Sequence, residues 1–226
     1  MRPPVGAMTL PDARLARLPV FPLAEVYLFP GTLLPLHLFE PRYVSMLRHC
    51  LSVADRALAI AGLEPGYEAD YAGRPPIRPI VGAGIIVAAH ETPEHTWNIV
   101  LRGLERVEIL EELPPLEAFR QVRGRRLPPP TPARDLRAAQ QLRLLVARVA
   151  EAAPPARDAL DMVLDQAADA GTLANLLGAH IIAEPAARRA IFEATDEDAQ
   201  VAVAGDAIGR LLLDVATRDP GTTTLH

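Results

Sequence analysis

The densest group of potential metal ligands in this sequence is His90-Glu91-Thr92-Pro93-Glu94-His95. Imidazoles and carboxylates are the donors that hold zinc. The spacing does not suit it. An HExxH site sets its histidines four positions apart on one helical turn, and the inverted HxxEH form is one residue shorter than this segment. Pro93 forbids a regular helix across it, and no third ligand lies near in sequence. The segment reads as a polar hairpin loop, and no metal is expected.

Nucleophilic chemistry is equally poorly supplied. Ser45 and Ser52 are the only serines, neither sits in a GxSxG elbow, and neither has triad partners by spacing. Cys50 is the single cysteine. It rules out an internal disulfide and an all-cysteine metal site. With only His49 as a neighbouring cation, it reads as a small buried hydrophobe. Every Lys/Arg-type base is arginine, with no lysine at all. That excludes a P-loop ATPase, a Ser-Lys protease dyad and Schiff-base catalysis. Gly82-Ala83-Gly84 is followed by a strand pattern, so it is no dinucleotide loop. His180, beside Leu176, Leu177 and Ile181, reads as a histidine at a core rim, and His37 lies within an apolar strand. No catalytic residue and no cofactor are expected.

Binding chemistry remains. Arg120, Arg123, Arg125, Arg126 and Arg134 form a basic strip that RNA could use. Glu105, Glu108, Glu111 and Glu112 on the preceding strand pattern offer cross-strand partners for it. A net charge of −5 and an aromatic content of 4% also disfavour nucleic acid. The stronger signal is apolar. Residues 18–39 carry more hydrophobes than one sheet face absorbs. A groove lined by Phe21, Leu28, Phe29, Leu36 and Phe39 would hold an extended or unfolded protein segment. The same five residues as plain core is the competing reading, and both stay open at this point.

The elements that must position these groups fall into two parts. Most of the 23 prolines precede residue 133, which favours short strands and turns there and helices beyond. Residues 1–17 read as a flexible arm. Leu18–Leu23 is a strand, Val26–Phe29 a second short apolar strand, and Pro30-Gly31 a turn. Leu33–Phe39 is a strand that Pro35 restricts to an edge or a bulge. Glu40-Pro41 opens a helix whose Tyr43, Val44, Leu47, Cys50 and Leu51 make one apolar face. Strands follow at Arg56–Ala61, Val81–Ala89, Thr96–Leu101, Leu104–Leu110 and Ala118–Leu127, with a long loop from Gly62 to Pro79. Residues 128–132 are a stiff proline-rich linker. The apolar period then becomes helical. Helices are expected over Ala133–Ala152, over Arg157–Ala168 (closed by Gly171), after a Thr172 cap, from Pro185, and after a Thr195/Asp198 capping box. The expected units are thus 18–127, rich in strands, and 133–218, helical, with a tail at 219–226. The N-terminus lacks a signal-peptide core and no stretch is long enough to span a membrane, so a cytoplasmic location is the default.

Leu18–Leu23, Phe29-Pro30-Gly31 and Pro35–Tyr43 together closely resemble the signature of the Lon substrate-binding, or Lon N-terminal, domain family. Val81-Gly82 is similar to that family's Val-Gly strand start, and Gly103-Leu104-Glu105-Arg106-Val107 to its Gly-x-x-Arg-Phe element. The resemblance covers about 18–215. It marks Pro30, Gly31, Glu40, Pro41, Arg42, Tyr43, Gly103 and Arg106 as structural-motif positions. The chain departs from the family pattern at Gln121, where a small residue is usual, and over Ala199–Gly205, where the last helix usually carries an arginine. The resemblance implies an α+β fold: a β-rich, PUA-like pseudo-barrel followed by an α-helical bundle. It also implies a non-catalytic module, standing alone without ATPase and protease domains, that binds exposed hydrophobic segments of unfolded proteins, with an ATP-dependent protease as a further partner. A PUA-like RNA-binding protein is the alternative, and any peptidase label would come from family naming.

Overall fold

The structure is a computed structural model describing residues 8–70 and 73–218. The expected tail at 219–226, the first seven residues of the expected arm and Tyr71 lie outside the described residues. The chain divides into two compact units, 1–129 and 130–226.

The first unit opens with a short helix, α1 (Asp12–Leu15), followed by β1 (Leu18–Leu23), β2 (Leu33–Leu38), α2 (Pro41–Leu51), β3 (Ala57–Gly62), β4 (Ile80–Glu91), β5 (Trp97–Glu112) and β6 (Arg120–Arg126). The strands pair in the order β2-β5-β4-β3-β1-β6, and β6 returns to β5. The ring β5-β4-β3-β1-β6-β5 therefore closes. β5 is long enough to serve two partners on one edge: Trp97–Arg102 pairs with β2, and Val107–Glu112 with β6. Among the described residues, closure removes the exposed edges of an open sheet except at β2, which pairs with β5 alone.

β3 shows how the layers form. It is buried along its whole length. Its alternate residues Ala57, Ala59 and Ala61 pack with Leu18, Val20, Val81, Val107 and Val122. Leu58 and Ile60 pack on the other side with Phe21, Ile99, Leu101 and the Met46, Leu47 and Cys50 face of α2. Successive strand residues point to opposite faces, so one strand seals two cores. The small alanines are what a narrow ring admits.

Several expectations change. The arm is not loose over its described part: Leu10 and Leu15 are buried in the ring's core. Val26–Phe29 forms no strand but a buried crossing segment. The separate strands expected at 96–101 and 104–110 are one strand, because Gly103 sits within β5 and does not break it. The long loop holds a short 3-10 turn at Tyr67–Asp70 and is pinned by a bridge between Leu63 and Ile77.

The second unit has α3 (Leu136–Ala152), α4 (Arg157–Gln166), α5 (Ala170–His180), α6 (Pro185–Glu193) and α7 (Glu197–Arg218). Leu142, Val146 and Val149 of α3, Leu173 and Leu177 of α5, and Val201, Ala204 and Ile208 of α7 are all buried. Two cap assignments differ from the sequence expectation. Asp169, not Thr172, caps α5, its carboxylate accepting the Thr172 N–H at 2.7 Å. Gly171 therefore lies inside that helix instead of closing α4, and an added Cβ there would meet the Glu197 carboxylate at 2.6 Å. Before α7, Asp196 accepts the Ala199 N–H at 2.8 Å, while Asp198 turns away to accept the N–H groups of Arg134 and Asp135. A carboxylate binds these orphan N–H groups at full charge, so it displaces threonine as the cap.

Candidate functional site

Phe29-Pro30-Gly31-Thr32 makes a tight turn. Gly31 takes φ +81°, a conformation open to glycine, and the Thr32 N–H reaches the Phe29 carbonyl at 3.2 Å. The turn then docks by backbone. Gly31 N–H donates to the Gly103 carbonyl, and Gly103 N–H to the Thr32 carbonyl, each at 2.9 Å. The approach is so close that a Cβ on Gly103 would sit 2.1 Å from the Phe29 carbonyl oxygen. One on Gly82 would sit 2.1 Å from that of Leu28. Segment 28–32 thus crosses β4 and β5 at two points where only glycine fits.

The motif after β2 is also architectural. Pro41 takes the first turn of α2. Glu40 caps nothing with its side chain but receives the Arg42 Nε at 2.9 Å. The Arg42 guanidinium lies 4.6 Å from the centre of the Tyr43 ring. Tyr43 packs on Phe21 with ring centres 4.2 Å apart. Arg106 is buried and donates to the Pro128 carbonyl at 3.2 Å, its pKa lowered by burial.

The five candidate contact residues separate. Phe21, Leu28 and Phe29 are buried in the core, the latter two at 0% exposure. They are corrected from groove to core: Phe21 lies on β1, paired beside β3 and packed on Tyr43, and the turn at Pro30-Gly31 holds Leu28 and Phe29 against β4 and β5. Leu36 is half-buried and packs against the core. Phe39 is exposed, at 66%.

What brings Phe39 outward is the parity of β2. Leu34, Leu36 and Leu38 turn to the core, while Leu33, Pro35 and His37 are exposed, with Leu33 at 47%. Phe39 continues the outer set and stacks on His37, ring centres 6.1 Å apart. The sequence LLPLHLF is apolar on both parities, so one set must face solvent. Register extends this face across the sheet. Leu33, Arg102 and Ile85 form one row, Pro35, Val100 and Ala88 the next, and His37, Asn98 and His90 the third. His37 Nδ1 lies 2.8 Å from Asn98 Oδ1. A shallow depression of about 520 Å³ runs over the last two rows. A bulge in β4 between Ile86 and Ala88 turns Val87 outward beside it. Leu33 and Val87 escaped sequence reasoning. Their signal was alternation within LLPLHLF for the first, and none for the second, because a bulge leaves no trace in the apolar pattern.

Four of the five arginines of the strip are occupied, while Arg134 is exposed and, among the described residues, only its backbone N–H is bound, by Asp198. Arg120 is buried, binds Glu112 and donates to the Pro75 carbonyl at 2.7 Å. Arg123 pairs with Glu111 at 2.9 Å, Arg125 with Glu108, and Arg126 with Glu105 at 2.5 Å and Asp12 at 2.9 Å. Each of these four guanidinium groups thus spends its donors on a carboxylate or a carbonyl, leaving little to hold phosphate. His95 reaches only Glu91, at 3.4 Å on the surface. Among the described residues no three His, Cys, Asp or Glu side chains gather as metal ligands.

The family model for the ATP-dependent protease La (LON) substrate-binding domain matches residues 17–206. The chain belongs to this family. Among solved structures, the N-terminal domain of the Mycobacterium avium complex Lon protease is similar with a TM-score of 0.64 at 16% identity, over 90% of this chain and 99% of that one. A Lon N-terminal domain protein from Xanthomonas campestris is similar with a TM-score of 0.61 at 16% identity, over 82% of this chain and 95% of that one. No curated protein matches the sequence. The α+β architecture of six strands and seven helices among the described residues is the Lon N-terminal fold. The LON substrate-binding domain is a recognition module and not itself a catalytic one. Among the described residues, no helix is long and apolar enough to cross a membrane.

Proposed function

We propose that this chain is a non-catalytic protein-recognition module that binds exposed hydrophobic segments of other proteins on the outer face of β2, β5 and β4. One observation carries the reading: Leu33, Pro35 and Phe39 stand in solvent together, on or directly after β2, the strand that among the described residues has an unpaired outer edge. Large apolar side chains clustered on a strand edge invite strand addition or apolar docking. Pro35 interrupts the edge's N–H row, which limits self-pairing and leaves side-chain contact as the main term. Delivery of the bound segment to an ATP-dependent protease is the role that family membership supports.

The test is titration of a reduced, alkylated and permanently unfolded protein against the chain, followed by light scattering and fluorescence anisotropy. Phe39→Ala removes an aromatic anchor of the kind worth about 2 kcal/mol or more at an interface, so binding should weaken roughly thirtyfold. Its stability should stay within about 0.5 kcal/mol of wild type, because the ring is exposed. Unaltered binding by Phe39→Ala would remove this face from consideration.

A further inference from the structure

The outer face is apolar at its centre but not at its ends. The middle row, Pro35, Val100 and Ala88, carries no polar side chain. One flanking row carries Arg102 between Leu33 and Ile85, and the other carries Asn98 between His37 and His90. Arg102 is exposed and, among the described residues, forms no ion pair. None of the three rows contains an aspartate or a glutamate. This contrasts with β6, where Arg120, Arg123, Arg125 and Arg126 each face a carboxylate, and with the chain's net charge of −5. The free cation is therefore no product of a general basic excess. It stands beside an apolar depression, on the strand whose far half pairs with the neutralised arginines of β6.

We infer that this face takes an extended, largely apolar protein segment that carries an acidic side chain next to its apolar run, with Arg102 as the partner of that carboxylate. This rests on the recognition reading above and adds the chemistry of the segment. An extended chain lying along β5 repeats its side chains on one face every two residues, about 7 Å, which is the interval between these rows. The carboxylate thus belongs two positions from the first apolar side chain. The apolar side chains sit over Pro35 and Val100 and reach toward Phe39. The histidine end does not compete for the carboxylate on equal terms, because His37 is already held by Asn98.

The experiment uses the full chain and three labelled heptapeptides, Asp-Ser-Leu-Ser-Leu-Ser-Phe and its Asn-first and Lys-first counterparts, with affinity read by anisotropy. The Asp peptide should bind about three- to fivefold tighter than the Asn peptide, the size of a solvent-screened ion pair. The Lys peptide should bind more weakly than either. In Arg102→Gln the Asp preference should vanish, so that the Asp and Asn peptides bind alike. In 1 M salt the wild-type preference should also vanish, since the screening length falls to about 3 Å. Equal affinity for the Asp and Asn peptides, or a preference that survives Arg102→Gln, overturns the carboxylate assignment and leaves apolar recognition standing. Failure of all three peptides to bind, or binding indifferent to Phe39→Ala, overturns the recognition reading with it. Displacement of the Asp peptide by an equimolar single-stranded RNA oligonucleotide would reassign Arg102 to phosphate and overturn the inference.

Discussion

Gly103→Ala should be far more damaging than its single methyl group suggests. The new Cβ would lie 2.1 Å from the Phe29 carbonyl oxygen. Relief to 3.4 Å, where ordinary contact begins, requires the crossing segment to move by about 1.3 Å. The obstacle is backbone, so no side-chain rotation absorbs the shift. A displacement of that size stretches the two 2.9 Å bonds between Gly103 and the Gly31–Thr32 backbone beyond hydrogen-bond range. Each such bond, lost where water cannot replace it, costs about 1–3 kcal/mol. Leu28 and Phe29, both fully buried, lose packing as the segment lifts. A total of about 4 kcal/mol follows, a large share of the 5–15 kcal/mol that holds a typical domain together. Gly31→Ala is the matched control. Its space is open, with nothing within 4 Å, but its φ of +81° strains any side chain, so it should cost only about 1–2 kcal/mol. Urea unfolding followed by fluorescence of Trp97, the sole tryptophan and a residue of β5, reports this unit specifically. If Gly103→Ala unfolds within about 1 kcal/mol of Gly31→Ala, the close crossing is not what makes residue 103 glycine.

Two further expectations concern buried groups. Burial pushes the Cys50 thiol from 9.0 up to about 12, outweighing Arg14, which acts in the opposite direction. The folded state thus holds this proton more tightly than the unfolded state. The associated stability is whole below pH 9 and is lost as pH rises toward 12, by at most about 1.4 kcal/mol per pH unit. Wild type should lose stability relative to Cys50→Ala between pH 9 and 11 in urea titrations, and the native thiol should resist an aromatic disulfide reagent at pH 8. Glu105 is buried and joins the Arg126 guanidinium to the Leu10 N–H, accepted at 3.2 Å. Glu105→Gln should cost about 2 kcal/mol and speed tryptic cleavage after Arg14 and Arg17. Unchanged cleavage would show that this carboxylate does not tether the first described residues.

The sequence was legible where a single physical cause acts. Pro41 at a helix start, Pro35 on an edge strand and the change from strand to helical period after residue 132 each follow from local chemistry, and the Arg/Glu alternation announced the β5–β6 pairing. Legibility failed where distant backbone decides. Nothing local to Val26–Phe29 says that it crosses over β4 and β5, so Leu28 and Phe29 were as plausible in a groove as in a core, and Phe21 depends in the same way on the distant β3 beside it. The two glycines that permit the crossing, Gly82 and Gly103, lie more than fifty residues downstream of it. Helix caps failed for a related reason, since Asp169 and Asp196 compete with nearby threonines and the stronger acceptor wins. Phe39 alone among the five candidates kept its exposure, because strand parity is a local property.

The place of β1 in the ring bears on how this protein is made. β1 lies parallel to β3 and antiparallel to β6, with Leu18 opposite Val122. A ribosome adding about 5–20 residues per second delivers β6 some 5–20 s after β1. Through that interval the first strand, with Leu18, Val20 and Phe21, has one edge that nothing in the nascent chain can cover. Pairing over such sequence distances is slow even once the partner exists. A recognition module for exposed apolar segments therefore passes through a stage in which its own leading strand is such a segment. Its synthesis is the period when chaperone cover matters most.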